Sequence, residues 1–188
     1  MKINSVAVFC GASKSKQDLM DLAYQVGTFL AKNHLKLIYG GASVGLMGQV
    51  AAGTLDNKGT AIGVMPRELI DKWEVAHNGL TEFYATENMH QRKQMMYDKS
   101  DAFLILPGGF GTLEEFFEVV TWKQIGYHNK PIYLLNHNGF HQKLLSFFQH
   151  MHDEGFISQK HLNDVTIINS LDELKKLMQS NINDCLND

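Results

Sequence analysis

The sequence is short of the residues that would tie it to an oxidising or metal-loaded setting. It has only 2 cysteines, Cys10 and Cys185, which show no metal-ligand spacing and cannot build a disulfide framework. A reduced, cytoplasmic setting is therefore expected. No apolar run approaches the roughly 20 residues that span a bilayer, and Met1-Lys-Ile-Asn4 leads directly into a strand-like segment without the features of a secretory leader. No membrane partner is expected. A formal net charge of −3 gives no general attraction to nucleic acid, so any phosphate must be held by local backbone dipoles and a few cations. The 9 histidines share no zinc-like spacing. His128, His137, His141, His150, His152 and His161 are placed in surface turns and helices with no chemistry, and no metal is expected. His90 is assigned to local packing.

What is present is enough apolar residue, 44% of 188, for one sizeable core. One domain is expected over residues 1–180, with a frayed polar tail over 181–188. Val6–Phe9, Leu35–Tyr39, Thr60–Met65, Pro131–Leu135 and Val165–Ile168 read as short apolar strands. Leu80–Ala85 adds a brief strand, and Leu104–Leu106 leads into a glycine-rich turn. Helical spacing separates them over Gln17–Ala31, the stretch after Ser43, Asn88–Ser100, Leu113–Ile125, Phe140–Met151 and Leu171–Met178. Ser43 is a candidate cap for the second of these helices. Such alternation predicts an α/β fold, a Rossmann-like open parallel sheet covered by helices on both faces. Ligands of such sheets sit beyond the carboxyl ends of the strands. The turns after Phe9, Tyr39 and Leu106 all lie there and can converge on one crevice. Trp73 and His77 are expected in a loop or short helix over it. Trp73 reads equally as cover or as ligand contact.

The most informative stretch is Leu104-Ile-Leu-Pro-Gly-Gly-Phe-Gly-Thr-Leu-Glu-Glu115, a strand that breaks into glycines and opens into a helix. Gly108, Gly109 and Gly111 allow a tight turn whose N–H groups can receive a bulky anion at the helix mouth. A ligand-free reading stands beside this one. Thr112 and Glu115 have the spacing of a capping box, each side chain satisfying a backbone donor. If so, Glu115→Gln should keep near-normal stability, so lost turnover in that variant would report the carboxylate alone. Glu114 reads as an ordinary first-turn acid favoured by the helix dipole.

Met89, Arg92, Lys93 and Met96 recur at helical spacing and put two cations between two methionines. Alone, that stripe reads as solvated cations with snorkelling stems. Beside the glycine-rich turns, a face looking onto an anion-bearing cleft accounts better for it. Trp122, Phe116 and Phe117 read as core or subunit interface. The spacing of Gly40 to Gly48 is not a dinucleotide fingerprint, so NAD is not expected.

Pro107-Gly-Gly-Phe-Gly-Thr112 through Glu115 resembles the PGGxGTxxE signature of the LOG ("lonely guy") family, cytokinin riboside 5′-monophosphate phosphoribohydrolases whose bacterial members were long labelled lysine decarboxylases. Met89-His-Gln-Arg-Lys93 resembles its M-H-x-R-K helix. Tyr39-Gly-Gly-Ala-Ser-Val-Gly-Leu-Met-Gly48 resembles its YGGGxxGLMG loop, with Ala42 in place of a glycine, and Phe9-Cys-Gly-Ala-Ser13 its first phosphate-side turn. The resemblance implies hydrolysis of the N-glycosidic bond of an N6-modified adenosine monophosphate, with Arg92 and Glu115 catalytic. Gly108, Gly109, Gly111 and Thr112 would bind the 5′-phosphate. Met89, Lys93 and Phe110 are further substrate-binding candidates, with Ser13, Gly41, Ser43 and Gly45 as lesser ones. A nucleoside monophosphate as the small-molecule partner, a homodimer and no cofactor follow. Two other readings are a non-catalytic nucleotide-binding module in the same crevice and an amino-acid decarboxylase. No lysine here stands out as a Schiff-base former.

Overall fold

The computed structural model describes residues 2–73 and 78–183. The side chain of Trp73, and His77 and Cys185, lie outside the described residues. Strands β1 (Ser5–Phe9), β2 (Lys36–Tyr39), β3 (Ala61–Pro66), β4 (Glu82–Thr86), β5 (Ala102–Ile105), β6 (Ile132–Leu135) and β7 (Thr166–Ile168) form one seven-stranded sheet. All its pairings are parallel. The connecting helices are α1 (Gln17–Lys32), α2 (Gly45–Asp56), α3 (Arg67–Trp73), α4 (Met89–Asp98), α5 (Phe110–Gln124), α6 (Gln142–Asp153), α7 (Gln159–Asn163) and α8 (Leu171–Asn183).

Side chains alternate along each strand, and both faces are apolar, as expected of a parallel sheet covered on both sides. Val6, Val8, Leu37, Tyr39 and Leu104 pack with Leu22, Val26, Leu30, Val50 and Leu174 of α1, α2 and α8. Ala7, Phe9, Ile38, Phe103 and Ile105 pack instead with Met96 of α4 and Phe116 and Val119 of α5.

The strand order β4-β3-β2-β1-β5-β6-β7 decides where a ligand can sit. The chain winds outward from β1 to β4, then returns to place β5 on the other side of β1. The crevice at such a reversal lies between the two loops that leave it in opposite directions. Here those loops are Cys10–Lys16 and Leu106–Gly109. Leu106 N–H donates to Phe9 O at 2.9 Å and Gly11 N–H to Pro107 O at 3.1 Å, so one loop is stitched to the other.

Several boundaries differ from expectation for local reasons. Pro66 ends β3 rather than stopping it short, pairing with Thr86, and α3 follows directly. Asn138 at φ 50° and Gly139 at φ 72° hold a 3-10 turn, His137–Gly139, so α6 begins at Gln142 and not at Phe140. The short α7 arises from a capping box between Ser158 and His161. Ser43 does not cap α2, whose N-cap is Val44 with no side-chain hydrogen bond. α8 extends to Asn183, five residues past the expected end at Met178.

Two histidines placed on the surface are buried. His128 Nε2 lies 2.8 Å from Val119 O, and His141 Nδ1 lies 3.1 Å from Leu135 O. His128 Nδ1 also accepts from Lys130 N–H at 3.1 Å, and burial pushes the pKa of each histidine down, partly opposed by the bond to its carbonyl. His90 is exposed.

Candidate active site

The helix after β5 begins earlier than a capping box would place it. Its N-cap is Gly109, in extended backbone with no side-chain cap, so α5 opens at Phe110 and Thr112 already lies inside it. First-turn N–H groups have no partner within a helix. Here no cap side chain supplies one, and the mouth is left for an anion. Gly108 is needed for this geometry, because a Cβ there would stand 2.1 Å from Thr112 Oγ1.

Freed from the cap, Glu115 turns to another element. Its Oε1 lies 2.8 Å from Arg92 Nη1, and both side chains are buried, at 5% and 8% exposure. The capping-box reading is therefore overturned, and with it the expectation that Glu115→Gln is neutral for stability. The buried charge of Arg92 is answered by a carboxylate of the protein itself. Glu114, expected to favour the helix dipole, instead pairs with Lys93, which also holds Glu118 at 2.9 Å.

Arg92 is seated from two further directions. Its Nε donates to Val64 O at 3.1 Å. Its Nη2 occupies the space over Gly40, where a Cβ would come within 2.3 Å. The pairing with Glu115 is close but oblique, since Oε1 accepts no well-directed hydrogen bond. That buried oxygen retains hydrogen-bonding capacity on the wall of a cavity. Burial pushes the Glu115 carboxyl up from its ordinary value, and Arg92 holds it back. A carboxyl under these opposed influences is a candidate for proton transfer.

The cavity encloses ≈ 460 Å³, within the range of small-ligand sites. It brings together Ser13, Arg92, Gly108, Gly109, Gly111, Thr112 and Glu115 from the expected residues. Met89, Lys93, Phe110, Gly41, Ser43 and Gly45 do not line it. Lys93 is engaged by its two glutamates, and they outweigh the lowering that burial causes, leaving its pKa raised. Gly41 abuts Phe83 and Met65, while Gly45 packs on the backbone of Ala12 and Ser13 and so braces the first loop.

Sequence reasoning missed Cys10, Lys14, Met47 and Phe140 on the cavity wall. Phe140 follows β6, and the rule that sites lie beyond strand carboxyl ends could have found it. Cys10 is fully buried, and burial foremost, with the Glu115 charge next, pushes its thiol up despite Arg92, so it is no thiolate nucleophile. Among the described residues no cluster of histidine, cysteine and carboxylates could hold a metal ion, and no helix is long and apolar enough to cross a membrane.

Comparison with known proteins gives consistent matches. Residues 47–178 match the family model described as "Possible lysine decarboxylase". A protein of Rhodococcoides fascians named cytokinin riboside 5′-monophosphate phosphoribohydrolase is 50% identical over 82% of this chain and 78% of its own. The Arabidopsis thaliana cytokinin riboside 5′-monophosphate phosphoribohydrolase LOG1 is 41% identical over 95% of this chain and 84% of its own. Among solved structures, a molybdenum cofactor binding protein from Rippkaea orientalis superposes with a TM-score of 0.73 at 22% identity, covering 96% of this chain and 98% of its own. That likeness speaks to the fold alone.

Proposed function

From this chain's membership of the LOG family, we propose that it is a phosphoribohydrolase, cleaving the N-glycosidic bond of an N6-modified adenosine 5′-monophosphate to free base and ribose 5-phosphate. The observation that carries this reading is the buried Arg92–Glu115 pair on the wall of the cavity into which the uncapped mouth of α5 opens. A site built only to bind an anion gains nothing from a carboxylate beside it. A hydrolase does.

In the proposed reaction the 5′-phosphate sits at Gly108–Thr112, held by backbone N–H groups and the Thr112 hydroxyl. Glu115, in the second turn of the same helix, then lies within one nucleotide's reach. As the bond between the base nitrogen and C1′ breaks, positive charge grows on the ribose and negative charge on the base. The Glu115 carboxylate stabilises the first and takes a proton from water as the water oxygen bonds to C1′. The proton then passes to the departing base, which leaves neutral. Arg92 holds Glu115 in place and offsets charge on the leaving base.

The test is to offer purified protein AMP, N6-isopentenyl-AMP, the matching riboside and other nucleoside monophosphates, and to measure free base. Release from the N6-modified monophosphate is expected. Equal release from the riboside would contradict a phosphate-anchored site.

The same reading includes a homodimer whose interface adjoins the pocket. In its support, Phe110 is 94% exposed at the mouth of α5, and Phe117 on the same helix and Met89 at the start of α4 are also exposed. Light scattering on the purified protein should give twice the chain mass, and Phe110→Asp should lower it.

A further inference from the structure

Among the described residues, the charges on the cavity wall leave one cation unused. The charged residues lining it are Lys14, Arg92 and Glu115. Arg92 and Glu115 offset each other at 2.8 Å. Lys93, a cation that the sequence suggested for the pocket, is drawn away by Glu114 and Glu118. Lys14 makes no hydrogen bond, ion pair or ring contact with any described residue. A phosphate monoester carries about −1.5 to −2 charges at neutral pH, while a helix mouth supplies only roughly +0.5. Most of a bound phosphate's charge would go unanswered by α5 alone.

Lys14 is also held in a suitable place. It stands between Ser13 and Ser15, which line the same cavity. Its loop is fixed to the glycine turn by the bond from Gly11 N–H to Pro107 O at 3.1 Å, and Gly45 supports it from behind. The exposed side chain can therefore swing over an anchored base. The buried, incompletely bonded Oε1 of Glu115 marks this same cavity as one that expects a ligand.

We propose that Lys14 is the cation that recognises the substrate's phosphate, and that it makes the site prefer phosphorylated nucleosides to their ribosides. The proposal rests on the function proposed above and adds the residue that sets its substrate class. Lys14 acts as a flexible point charge. It pairs with a dianion arriving from solvent and needs no fixed geometry before binding.

The test compares wild type, Lys14→Met, which keeps the stem, and Lys14→Arg, which keeps the charge. The ratio of kcat/KM for N6-isopentenyl-AMP to that for its riboside should fall roughly 10- to 100-fold in Lys14→Met, as expected for loss of a charged hydrogen bond. It should return most of the way in Lys14→Arg. The KM of the wild type for the monophosphate should rise with salt, and this dependence should flatten in Lys14→Met. Calorimetry with ribose 5-phosphate and with ribose reads binding without turnover. If no nucleotide is hydrolysed by any form, the proposed function fails, yet weaker ribose 5-phosphate binding by Lys14→Met still supports the role of Lys14. Unchanged ribose 5-phosphate affinity in Lys14→Met, or no binding by the wild type, overturns it.

Discussion

Breaking the Arg92–Glu115 pair from one side should cost far more than removing both halves. The two side chains are buried, 2.8 Å apart, and linked to the backbone through Val64 O. Arg92→Met leaves a buried carboxylate without its cation, and Glu115→Leu leaves a buried guanidinium without its anion. Losing one partner of such a pair costs about 3–5 kcal/mol. At roughly 2–4 °C per kcal/mol for a domain of this size, each single variant should melt about 6–20 °C below wild type. Glu115→Gln keeps the volume and one acceptor, so its cost should be nearer 1–3 kcal/mol. The double variant Arg92→Met/Glu115→Leu buries no charge and should regain most of the loss, since exchanging a buried pair for apolar residues is often neutral or favourable. Denaturant unfolding of the four proteins closes the cycle, and free-base release measures the other half. All the variants should be inactive, including the stable double one. If the two single losses simply add in the double variant, the pair does not exist as described. A double variant that still hydrolyses nucleotide would remove both residues from the reaction.

Three further outcomes follow from the same geometry. Gly40→Ala places a Cβ 2.3 Å from Arg92 Nη2 and 3.0 Å from the Met47 thioether. Since Met47 can move and Arg92 cannot without leaving Glu115, kcat should fall at least about tenfold with a stability loss of ~1–3 kcal/mol, and adding Met47→Ala should not restore it. For pH, the folded carboxyl of Glu115 titrates above its unfolded value. Its contribution to stability is therefore fully present below the unfolded value, near 4.3, and is lost as pH rises through the folded one. Stability of wild type relative to Glu115→Gln should thus improve as pH falls through that window, and the acid limb of kcat/KM should lie above the ordinary glutamate range. A flat difference would refute the upward shift. Lys93→Met releases Glu114 and Glu118, for which a loss of about 1 kcal/mol and little change in monophosphate KM are expected. A tenfold rise in KM, about 1.4 kcal/mol, would return Lys93 to the binding site.

The parts of this molecule that were legible from sequence are those governed by local rules. Apolar runs such as Val6–Phe9 and Pro131–Leu135 announced strands, and helical spacing found α1, α4 and α5 to within a few residues. The convergence of the turns after Phe9 and Leu106 followed from strand direction. What was hidden depends on contacts across elements. Thr112 and Glu115 have the letters of a capping box, but α5 takes Gly109 as its N-cap, three residues earlier, and Arg92 from α4 claims the carboxylate. Neither fact is visible within α5. Likewise Lys93 reads as a pocket cation until Glu114 and Glu118 are seen beside it. His128 and His141 are polar by letter and core by position, each with one ring nitrogen against a backbone carbonyl.

The departures that bear on the site are concentrated at the carboxyl ends of the inner strands β1 and β5. Along the crevice between the loops after β1 and β5, α5 begins without a side-chain cap, an acid and a base are buried together, and an acid oxygen lacks a well-directed donor. Each is a cost to folding that apolar packing elsewhere must offset, and natural sequences concentrate such costs where function requires them. Selection for stability alone would have capped α5 and made positions 92 and 115 apolar. The proposed chemistry on a ligand would give the retained pair a use beyond the fold, and its place on the cavity wall fits that proposal.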